Sequence, residues 1–158
     1  MHYYFKEDIE LEYIQELVNK LEGQENIKLY FETFGGTVNV MGFLIDFLNS
    51  LGNKIEVVLT GFVYSAGTKI LTDYTGKLTI SPEIDMMLFH KWDRQIYTLR
   101  KDSDDKHLTK QSEKRNKDFA KKLKQKGILN KEQLKRFKKG EDVRLYAKDI
   151  LKLNLRND

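Results

Sequence analysis

Hydrophobic residues recur at two different spacings along the first part of the chain. In residues 10–21 and 37–51 they return every three or four positions, which predicts two amphipathic helices. Residues 3–6, 27–34 and 55–59 instead carry short apolar or alternating runs rich in aromatic and β-branched residues, which predicts strands. The chain therefore opens with an alternation of strands and helices.

The alternation continues to about residue 90. Gly61 is expected to end the third strand, and residues 66–74 are apolar enough to predict a third helix. Two short strands, 78–80 and 85–89, are predicted on either side of Pro82, the only proline. Because strands alternate with helices, the pattern predicts an α/β fold with a parallel sheet and right-handed crossovers.

The character of the chain changes after residue 100. Residues 104–126 have a polar helical pattern with a thin apolar stripe of Leu108, Phe119 and Leu123. A helix this polar rarely belongs to the core of a monomer and often bridges to something else. We therefore expect this helix to protrude from the main body.

The remaining C-terminal pattern predicts two short helices. Asn130 is a suitable cap for a helix over residues 131–138, and residues 145–151 suggest another helix. At 158 residues the chain fits one domain. We expect a single domain, with residues 91–140 as a subdomain that carries the polar helix.

Charge is distributed unevenly along the chain. Residues 1–90 contain 6 Lys and Arg against 13 Asp and Glu, a net charge of −7, whereas residues 91–158 contain 22 against 11, a net charge of +11. A basic half can bind nucleic acid, but no zinc-finger spacing, RNP-like strand or glycine-rich phosphate loop accompanies it. We expect a solvated helix face or complementarity to an acidic neighbouring subunit, and no nucleic-acid partner.

Composition excludes several kinds of chemistry. The chain has no cysteine, which excludes disulfides, thiolate zinc sites and a cysteine nucleophile. With only three histidines, a multi-histidine metal site is not expected, and no cofactor is predicted. No apolar run approaches the roughly 20 residues that span a bilayer, and the N-terminal residues do not resemble a signal peptide. We expect a cytoplasmic protein with no membrane partner.

Three residues could form a catalytic set, although each has an ordinary structural explanation. Ser65 lies where a buried strand turns into a helix, a place that suits an exposed nucleophile but also an N-cap serine. His90 ends a strand, where it could be a general base or a core histidine. Asp142 lies in a turn and could orient that base or serve only the turn. The residues alone leave open whether the three side chains meet.

Gly35 and Gly36 follow a strand and precede a helix. Adjacent glycines can bring backbone N–H groups close to a ligand, or they can simply permit a tight turn. The pair lacks the full dinucleotide-binding pattern, so a nucleotide site is only weakly supported.

The order of these motifs is more specific than any one of them. Along the chain stand Gly35-Gly36-Thr37-Val38, Gly61-x-x-x-Ser65-Ala66-Gly67, Pro82, Met86-Met87-Leu88-Phe89-His90, and Asp142 ahead of Leu145-Tyr146-Ala147-Lys148-Asp149. In this order, and in the spacing from serine to histidine to aspartate, the chain resembles the proteolytic subunit of the Clp protease, over about residues 3 to 155. The resemblance implies a ClpP/crotonase-like parallel sheet with flanking helices and a protruding polar handle helix.

The resemblance also implies a function and a set of roles. The chain would be a serine endopeptidase that hydrolyses peptides or unfolded proteins, with Ser65 as nucleophile, His90 as general base and Asp142 as the third triad member. The N–H groups of Gly36 and Ala66 would form the oxyanion hole. Substrate would be bound by residues of the glycine pair and the start of the helix after it, namely Gly35, Thr37 and Val38. The protein would form a homo-oligomer of one ring or stacked rings, interlocked by residues 104–126.

The chain departs from the family pattern at several positions. Phe34 stands where the family has the proline of Ser-Pro-Gly-Gly, and Tyr64 replaces a small residue beside the nucleophile. Lys91-Trp92 follows the histidine where the family tends to have Gln-Pro. Since the first predicted strand begins near residue 3, we expect no counterpart of the family extension that lines the axial pore and helps dock an ATPase unfoldase, and such a partner is not favoured.

Two other functions remain open on the sequence. One is a catalytically inactive Clp-like assembly protein. The other is a crotonase-like acyl-thioester enzyme, which uses similar oxyanion geometry without a triad.

Overall fold

Five strands form one sheet in the order β1-β2-β3-β4-β5 in the computed structural model, which describes residues 1–92 and 102–153. β1, β2, β3 and β4 pair with their neighbours in parallel, as the α/β pattern predicts. The strands are β1 (His2–Phe5), β2 (Ile27–Thr33), β3 (Ile55–Tyr64), β4 (Lys77–Phe89) and β5 (Val143–Tyr146).

Helices connect and flank the strands. A short 3₁₀ helix, Ser65–Lys69, follows β3 and leads into α3. The α-helices are α1 (Leu11–Leu21), α2 (Val38–Leu51), α3 (Ile70–Asp73), α4 (Asp102–Gln125), α5 (Lys131–Lys139) and α6 (Ala147–Ile150). Among the described residues, no helix is long and apolar enough to cross a bilayer.

The chain divides into two compact units. One, here called the sheet unit, comprises Met1–Phe89 and the chain from Arg144 onward; the other, the helical unit, is His90–Val143. The division begins close to the position where the sequence pattern changes. The assignment of residues 1–158 to one domain stays a prediction.

The core of the sheet unit consists of the apolar faces of its helices and strands. In β2 every second side chain is buried, so one face of the strand packs inward and the other is partly exposed. Helices α1 and α2 contact each other and bury side chains at helical spacing. The buried helix residues are Ile14, Leu17 and Leu21 of α1 and Met41, Leu44, Ile45 and Leu48 of α2.

Two predicted strand boundaries are wrong. β3 does not end at Gly61 but continues to Tyr64. Its pairing with β4 shifts in register at Gly61, as at a β-bulge, and then resumes. The predicted short strands on either side of Pro82 are one strand, β4. Leu59 pairs with Ile80 and Gly61 with Ile84, so the exposed proline lies where the pairing is interrupted and no ladder N–H is required.

Two predicted helices are also shorter than expected. The predicted helix over residues 66–74 is a 3₁₀ turn followed by the four residues of α3. The predicted helix over 145–151 begins only at Ala147, since Val143 and Leu145 are buried while Arg144 and Tyr146 are exposed. That alternation is the pattern of a strand, and it places these four residues in β5.

The helical unit has a small aromatic core of its own. The ring of Phe119 on α4 stacks on Trp92 at a centroid distance of 4.3 Å and meets Phe137 of α5 edge-on at 5.9 Å. Leu123 is fully buried. Phe119 and Leu123 of the predicted apolar stripe therefore pack into a core within the chain; the side chain of Leu108 lies outside the described part of the structure.

The start of α5 confirms its predicted cap. The Asn130 side chain accepts a hydrogen bond from the backbone N–H of Gln133 at 2.9 Å, and the Gln133 side chain accepts one from the Asn130 N–H at 2.9 Å. This reciprocal capping box satisfies two N–H groups that the helix leaves without partners.

Candidate active site

Ser65 lies at the junction where β3 ends and the 3₁₀ helix begins. Its φ is +52°, a left-handed conformation that, among the described non-glycine residues, only Asn26 shares. Such a backbone is strained for a residue with a Cβ, by on the order of 1–3 kcal/mol, and strain of this kind concentrates at functional turns. The Thr68 hydroxyl donates to the Ser65 carbonyl at 2.6 Å and helps fix the turn.

Gly35 approaches this serine closely. A Cβ built on Gly35 would lie 2.7 Å from the Ser65 Cβ and 3.3 Å from its Oγ, and Gly35 itself has a φ of +106°. The Thr33 hydroxyl accepts a hydrogen bond from the Gly35 N–H at 3.1 Å. Both space and conformation therefore require glycine here, and the glycine pair lies directly beside the candidate nucleophile.

Ile9 fixes the backbone of the glycine pair, a role that sequence analysis missed. Its N–H donates to the Gly35 carbonyl at 2.6 Å, and its carbonyl accepts from the Thr37 N–H at 2.9 Å. A Cβ on Gly36 would lie 2.7 Å from that carbonyl oxygen. The only signal in the sequence is a single apolar residue between Asp8 and Glu10, which is too short a pattern to identify.

The two candidate oxyanion donors are sequence neighbours of the residues that meet in this turn: Ala66 follows Ser65, and Gly36 follows Gly35. Gly36 is exposed and has a φ of +137°, whereas Ala66 is fully buried and follows Ser65 in the first turn of the 3₁₀ helix. The first N–H groups of a helix have no intrahelical acceptor. In this part of the sheet unit, Thr37 is the N-cap of α2 and Val38 its first residue, so the predicted substrate segment runs from the glycine pair into a helix.

His90 and Asp142 lie together in the helical unit. The His90 Nδ1 and Asp142 Oδ1 atoms are 3.8 Å apart, and the two side chains are 39% and 43% exposed. This is an ion-pair distance rather than a hydrogen-bond distance for these atoms. The turn that carries Asp142 is held by Arg136, whose guanidinium donates to the Asp142 carbonyl and to the Glu141 carboxylate, each at 3.0 Å.

The predicted site residues thus fall into two groups. Ser65, Gly35, Gly36, Ala66, Thr37 and Val38 belong to the sheet unit, and His90 and Asp142 belong to the helical unit. Within the first group Gly35 lies against Ser65, and within the second group His90 lies beside Asp142. The approach of the serine to the histidine stays a prediction.

The tyrosine that precedes the nucleophile is partly buried. Burial raises the pKa of the Tyr64 phenol above its usual value, Arg144 acts in the opposite direction, and Asp85 and Tyr146 raise the pKa further. The phenol therefore stays neutral across the physiological range, and Ser65 has an uncharged aromatic neighbour.

No group of three or more metal-ligating side chains comes together in the part of the chain that the structure describes. The chemistry that the site residues offer is that of a hydroxyl, an imidazole, a carboxylate and backbone N–H groups. This inventory matches nucleophilic acyl transfer.

Comparison with known proteins identifies the fold. A solved structure of a ClpP1 mutant from Listeria monocytogenes superposes with a TM-score of 0.68 at 18% sequence identity, over 99% of this chain and 88% of that one. At this identity the likeness concerns the fold: a parallel sheet with flanking helices, as the resemblance in the sequence implied. No curated protein matches the sequence significantly.

A family model described as Clp protease matches residues 5–136. The matched range contains Ser65 and His90 and ends six residues before Asp142. It covers well over half of the 158 residues, and it agrees with the fold comparison. The chain belongs to the Clp protease family.

Proposed function

We propose that this protein is a serine endopeptidase that cleaves peptides or unfolded proteins through Ser65, His90 and Asp142. The observation that carries the proposal is the turn at Ser65, where a strained left-handed serine lies against Gly35, at a position where any Cβ would force the turn to shift. A strand that turns sharply into a helix is how several unrelated hydrolases expose a nucleophile. Membership of the Clp protease family supports peptide hydrolysis over other acyl transfers.

In the proposed mechanism each group has one task. His90 takes the proton of the Ser65 hydroxyl as the oxygen attacks the peptide carbonyl, and Asp142 orients the imidazole and stabilises its cationic form. The N–H groups of Gly36 and Ala66 donate to the developing oxyanion. The imidazolium then protonates the leaving amine, and water, deprotonated by His90, hydrolyses the acyl-enzyme and frees Ser65.

The substrate is proposed to lie in extended form along Gly35, Thr37 and Val38. Support comes from the exposure of Gly36 and Thr37 and from the hydrogen bonds that tie this segment to Ile9. Ile9 occupies the Gly35 carbonyl and the Thr37 N–H, so it holds the segment in one conformation and a bound peptide would meet a surface that needs no further ordering. Binding along this segment would depend mainly on the peptide main chain, which suits unfolded substrates of varied sequence.

We also propose a homo-oligomeric, cytoplasmic protein. Members of the family generally form rings, and the exposed lysines of α4 and α5 offer a surface for a neighbour. An ATPase unfoldase is a further possible partner, and we do not favour it. Nucleic acid is not proposed as a partner.

Active-site labelling tests the nucleophile directly. A fluorophosphonate probe forms a covalent bond with an activated serine, so we expect labelling of Ser65 in the unaltered protein and none in Ser65→Ala. Ser50→Ala is the matched control, because Ser50 is an exposed serine near the end of α2 whose hydroxyl donates to the Phe47 carbonyl. Hydrolysis of a fluorogenic peptide by Ser65→Ala at the rate of the unaltered protein would contradict the proposal.

The carboxylate can be tested with a neighbouring control. Asp142→Asn is expected to lower kcat on the order of a thousandfold or more, since the amide no longer stabilises the imidazolium. Glu141→Gln changes the adjacent carboxylate, which bonds to Arg136, and is expected to retain activity. Equal losses in both variants would indicate a structural effect on the turn.

The inactive assembly protein remains the second candidate, and in it the 3.8 Å separation of His90 Nδ1 and Asp142 Oδ1 would persist when substrate binds. In a working triad with substrate bound, these two atoms share a hydrogen bond of about 2.6–3.2 Å, which is often longer in the free enzyme. Failure of the probe to label Ser65 in any oligomeric form would support this alternative.

A further inference from the structure

Three aromatic rings form a cluster on one face of the sheet unit. Phe34 lies 5.8 Å from Phe62 and 5.6 Å from Tyr64, and Phe62 lies 5.5 Å from Tyr64, measured between ring centroids. Phe62 and Tyr64 alternate along β3 with the fully buried Val63, so the cluster is on the face opposite that core residue. We call Phe34, Phe62 and Tyr64 the aromatic cluster.

The rings of the cluster are accessible to solvent to different degrees. Phe34 is 64% exposed, and Phe62 and Tyr64 are partly exposed. Exposed apolar residues are common singly, but a contiguous group of rings marks a binding surface more often than chance. The Tyr64 phenol is neutral at physiological pH, since its pKa lies above the usual value, so all three rings of the cluster are uncharged.

The position of the cluster ties it to the candidate nucleophile. Tyr64 directly precedes Ser65, and Phe34 directly precedes Gly35, whose Cβ position would contact the Ser65 Cβ at 2.7 Å. The hydrogen bonds of Gly35 with Thr33 and Ile9 fix the loop that carries Phe34. Phe34 and Tyr64 are therefore both held next to the serine, one through Gly35 and the other through the chain itself.

The chain direction indicates which part of a substrate would reach the cluster. Thr37 and Val38 follow the proposed oxyanion donor Gly36, whereas Phe34 precedes it by two residues. An extended peptide whose scissile carbonyl faces Gly36 would lie along Thr37 and Val38 on one side of the cleaved bond. Its residues on the other side would extend over Phe34.

We propose that the aromatic cluster is a substrate subsite for a large apolar side chain, on the side of the scissile bond away from Thr37 and Val38. The inference rests on the proposed peptidase function and names a substrate preference for it. The occupant is a peptide side chain because the cluster is continuous with the serine turn. Ring-on-ring contact and apolar burial together make a preference of about tenfold over a small polar side chain reasonable.

Internally quenched peptides provide the test. The series varies one residue on either side of the cleaved bond among Phe, Leu, Ser and Glu, with the rest constant. We expect kcat/KM to favour Phe over Ser by about tenfold at one of the two positions only. In Phe34→Ala this ratio is expected to fall towards one, and Phe34→Trp is expected to restore it.

A matched variant controls for the loss of an exposed ring. Phe43 lies on α2, is 48% exposed and has no part in the cluster, so Phe43→Ala is expected to keep the full Phe-to-Ser ratio. A ratio that falls equally in Phe34→Ala and Phe43→Ala would overturn the subsite.

The remaining outcomes separate this inference from the proposed function. If the probe labels Ser65 and peptides are cleaved without preference for Phe at either position, the subsite is wrong and the peptidase stands. If neither labelling nor cleavage occurs, both are wrong. If Phe34→Ala instead lowers the molar mass measured by light scattering, the cluster is a contact between copies of the chain and the subsite is overturned.

Discussion

At the residue scale, the contact between Gly35 and Ser65 makes the sharpest prediction. Gly35→Ala places a Cβ 2.7 Å from the Ser65 Cβ and 3.0 Å from the Tyr64 carbonyl oxygen, at a φ of +106°. The serine turn must shift, so peptide hydrolysis is expected to fall on the order of a hundredfold, as small misplacements of reacting groups do. Initial rates with a fluorogenic peptide measure the loss, and thermal unfolding measures the accompanying change in stability.

Two other glycines serve as controls, because they separate the effect of backbone strain from the effect of the contact with Ser65. Gly23 also has a left-handed φ, +72°, but nothing lies within 4 Å of its Cβ position, so Gly23→Ala carries the backbone strain without the contact. Gly42 lies inside α2 with open space and an ordinary φ, and Gly42→Ala is expected to stabilise the protein by roughly 0.5–1 kcal/mol. Full activity in Gly35→Ala would mean that the turn at Ser65 is not part of an active site.

At the element scale, a polar ladder crosses three strands on the sheet. Lys28, Glu56 and Lys77 are register partners on β2, β3 and β4. Lys77 donates to the Glu56 carboxylate at 3.0 Å, Thr79 donates to it at 3.0 Å, and Lys28 lies 3.7 Å away. Burial raises the pKa of Glu56, but these hydrogen bonds and charges outweigh it and hold the pKa below the ordinary value of 4.5.

The lowered pKa of Glu56 predicts how stability depends on pH. The folded state binds this proton less readily than the unfolded state, so the contribution is present above the unfolded pKa of about 4.5 and is lost as pH falls through the folded pKa. Urea unfolding between roughly pH 6 and 3 is expected to show a shallower loss of stability in Glu56→Gln than in the unaltered protein.

A second glutamate provides the control for that pH series. Glu25 pairs with Lys54 at 3.1 Å but is 67% exposed, so the pair contributes little to stability. Glu25→Gln is expected to follow the unaltered protein. Parallel curves for the Glu56→Gln variant and the unaltered protein would show that the ladder has no part in acid unfolding.

In the helical unit, Asn116 ties helix α4 to the segment after the sheet. Its side chain is buried, accepts from the Trp92 N–H at 2.9 Å, and donates to the Trp92 carbonyl at 3.2 Å and the Ser112 carbonyl at 3.0 Å. Asn116→Ala removes these partners from the Trp92 backbone and is expected to cost about 1–3 kcal/mol.

Fluorescence can assign that loss to the correct unit. Trp92 is the only tryptophan, so its emission during denaturation reports on the helical unit. Gln125→Ala, an exposed change on the same helix, is the control and is expected to leave the midpoint unchanged. An unchanged midpoint in Asn116→Ala would show that water replaces the lost hydrogen bonds at no cost.

The elements that sequence predicts best are those whose pattern is long. Helix α2 and strand β2 repeat their apolar spacing over many residues and match the prediction closely, and Asn130 caps α5 as expected. The course of β3 past Gly61 and of β4 past Pro82 was not predictable, because both depend on a shift of register between strands. Glycine and proline each predict the end of a strand from local preference alone. Only the pairing with the neighbouring strand shows that the strand continues past them.

In the candidate site, too, some features could be predicted from the sequence and others depended on the three-dimensional contacts. The sequence motifs indicate Ser65 and the glycine pair, and the positive φ of Ser65 and its contact with Gly35 give that indication a physical basis. The support by Ile9 was not predictable, since it consists of backbone hydrogen bonds that any residue could make. The aromatic cluster needed the geometry of β3, because Phe34 is about 30 residues from its partners in sequence.

At the scale of the whole molecule, the charge asymmetry bears on association. Residues 1–90 have a net charge of −7 and residues 91–158 a net charge of +11, and many lysines of α4 and α5 are exposed. Opposite charges of this size attract over roughly 10 Å at 0.1 M salt but over only about 3 Å at 1 M. If copies associate through the basic helices and an acidic surface, the mass of the assembly should fall as salt rises.

Charge reversal on α4 tests whether its exposed lysines form the interface between copies. Removing the helix would also remove Phe119 and Leu123 from the core of the helical unit, so substitutions are preferable to a deletion. Lys117→Glu combined with Lys121→Glu and Lys124→Glu alters exposed positions only, and is expected to shift sedimentation velocity towards smaller species at low salt. A mass that is independent of both salt and these substitutions would instead point to an apolar interface, with the basic helices facing solvent.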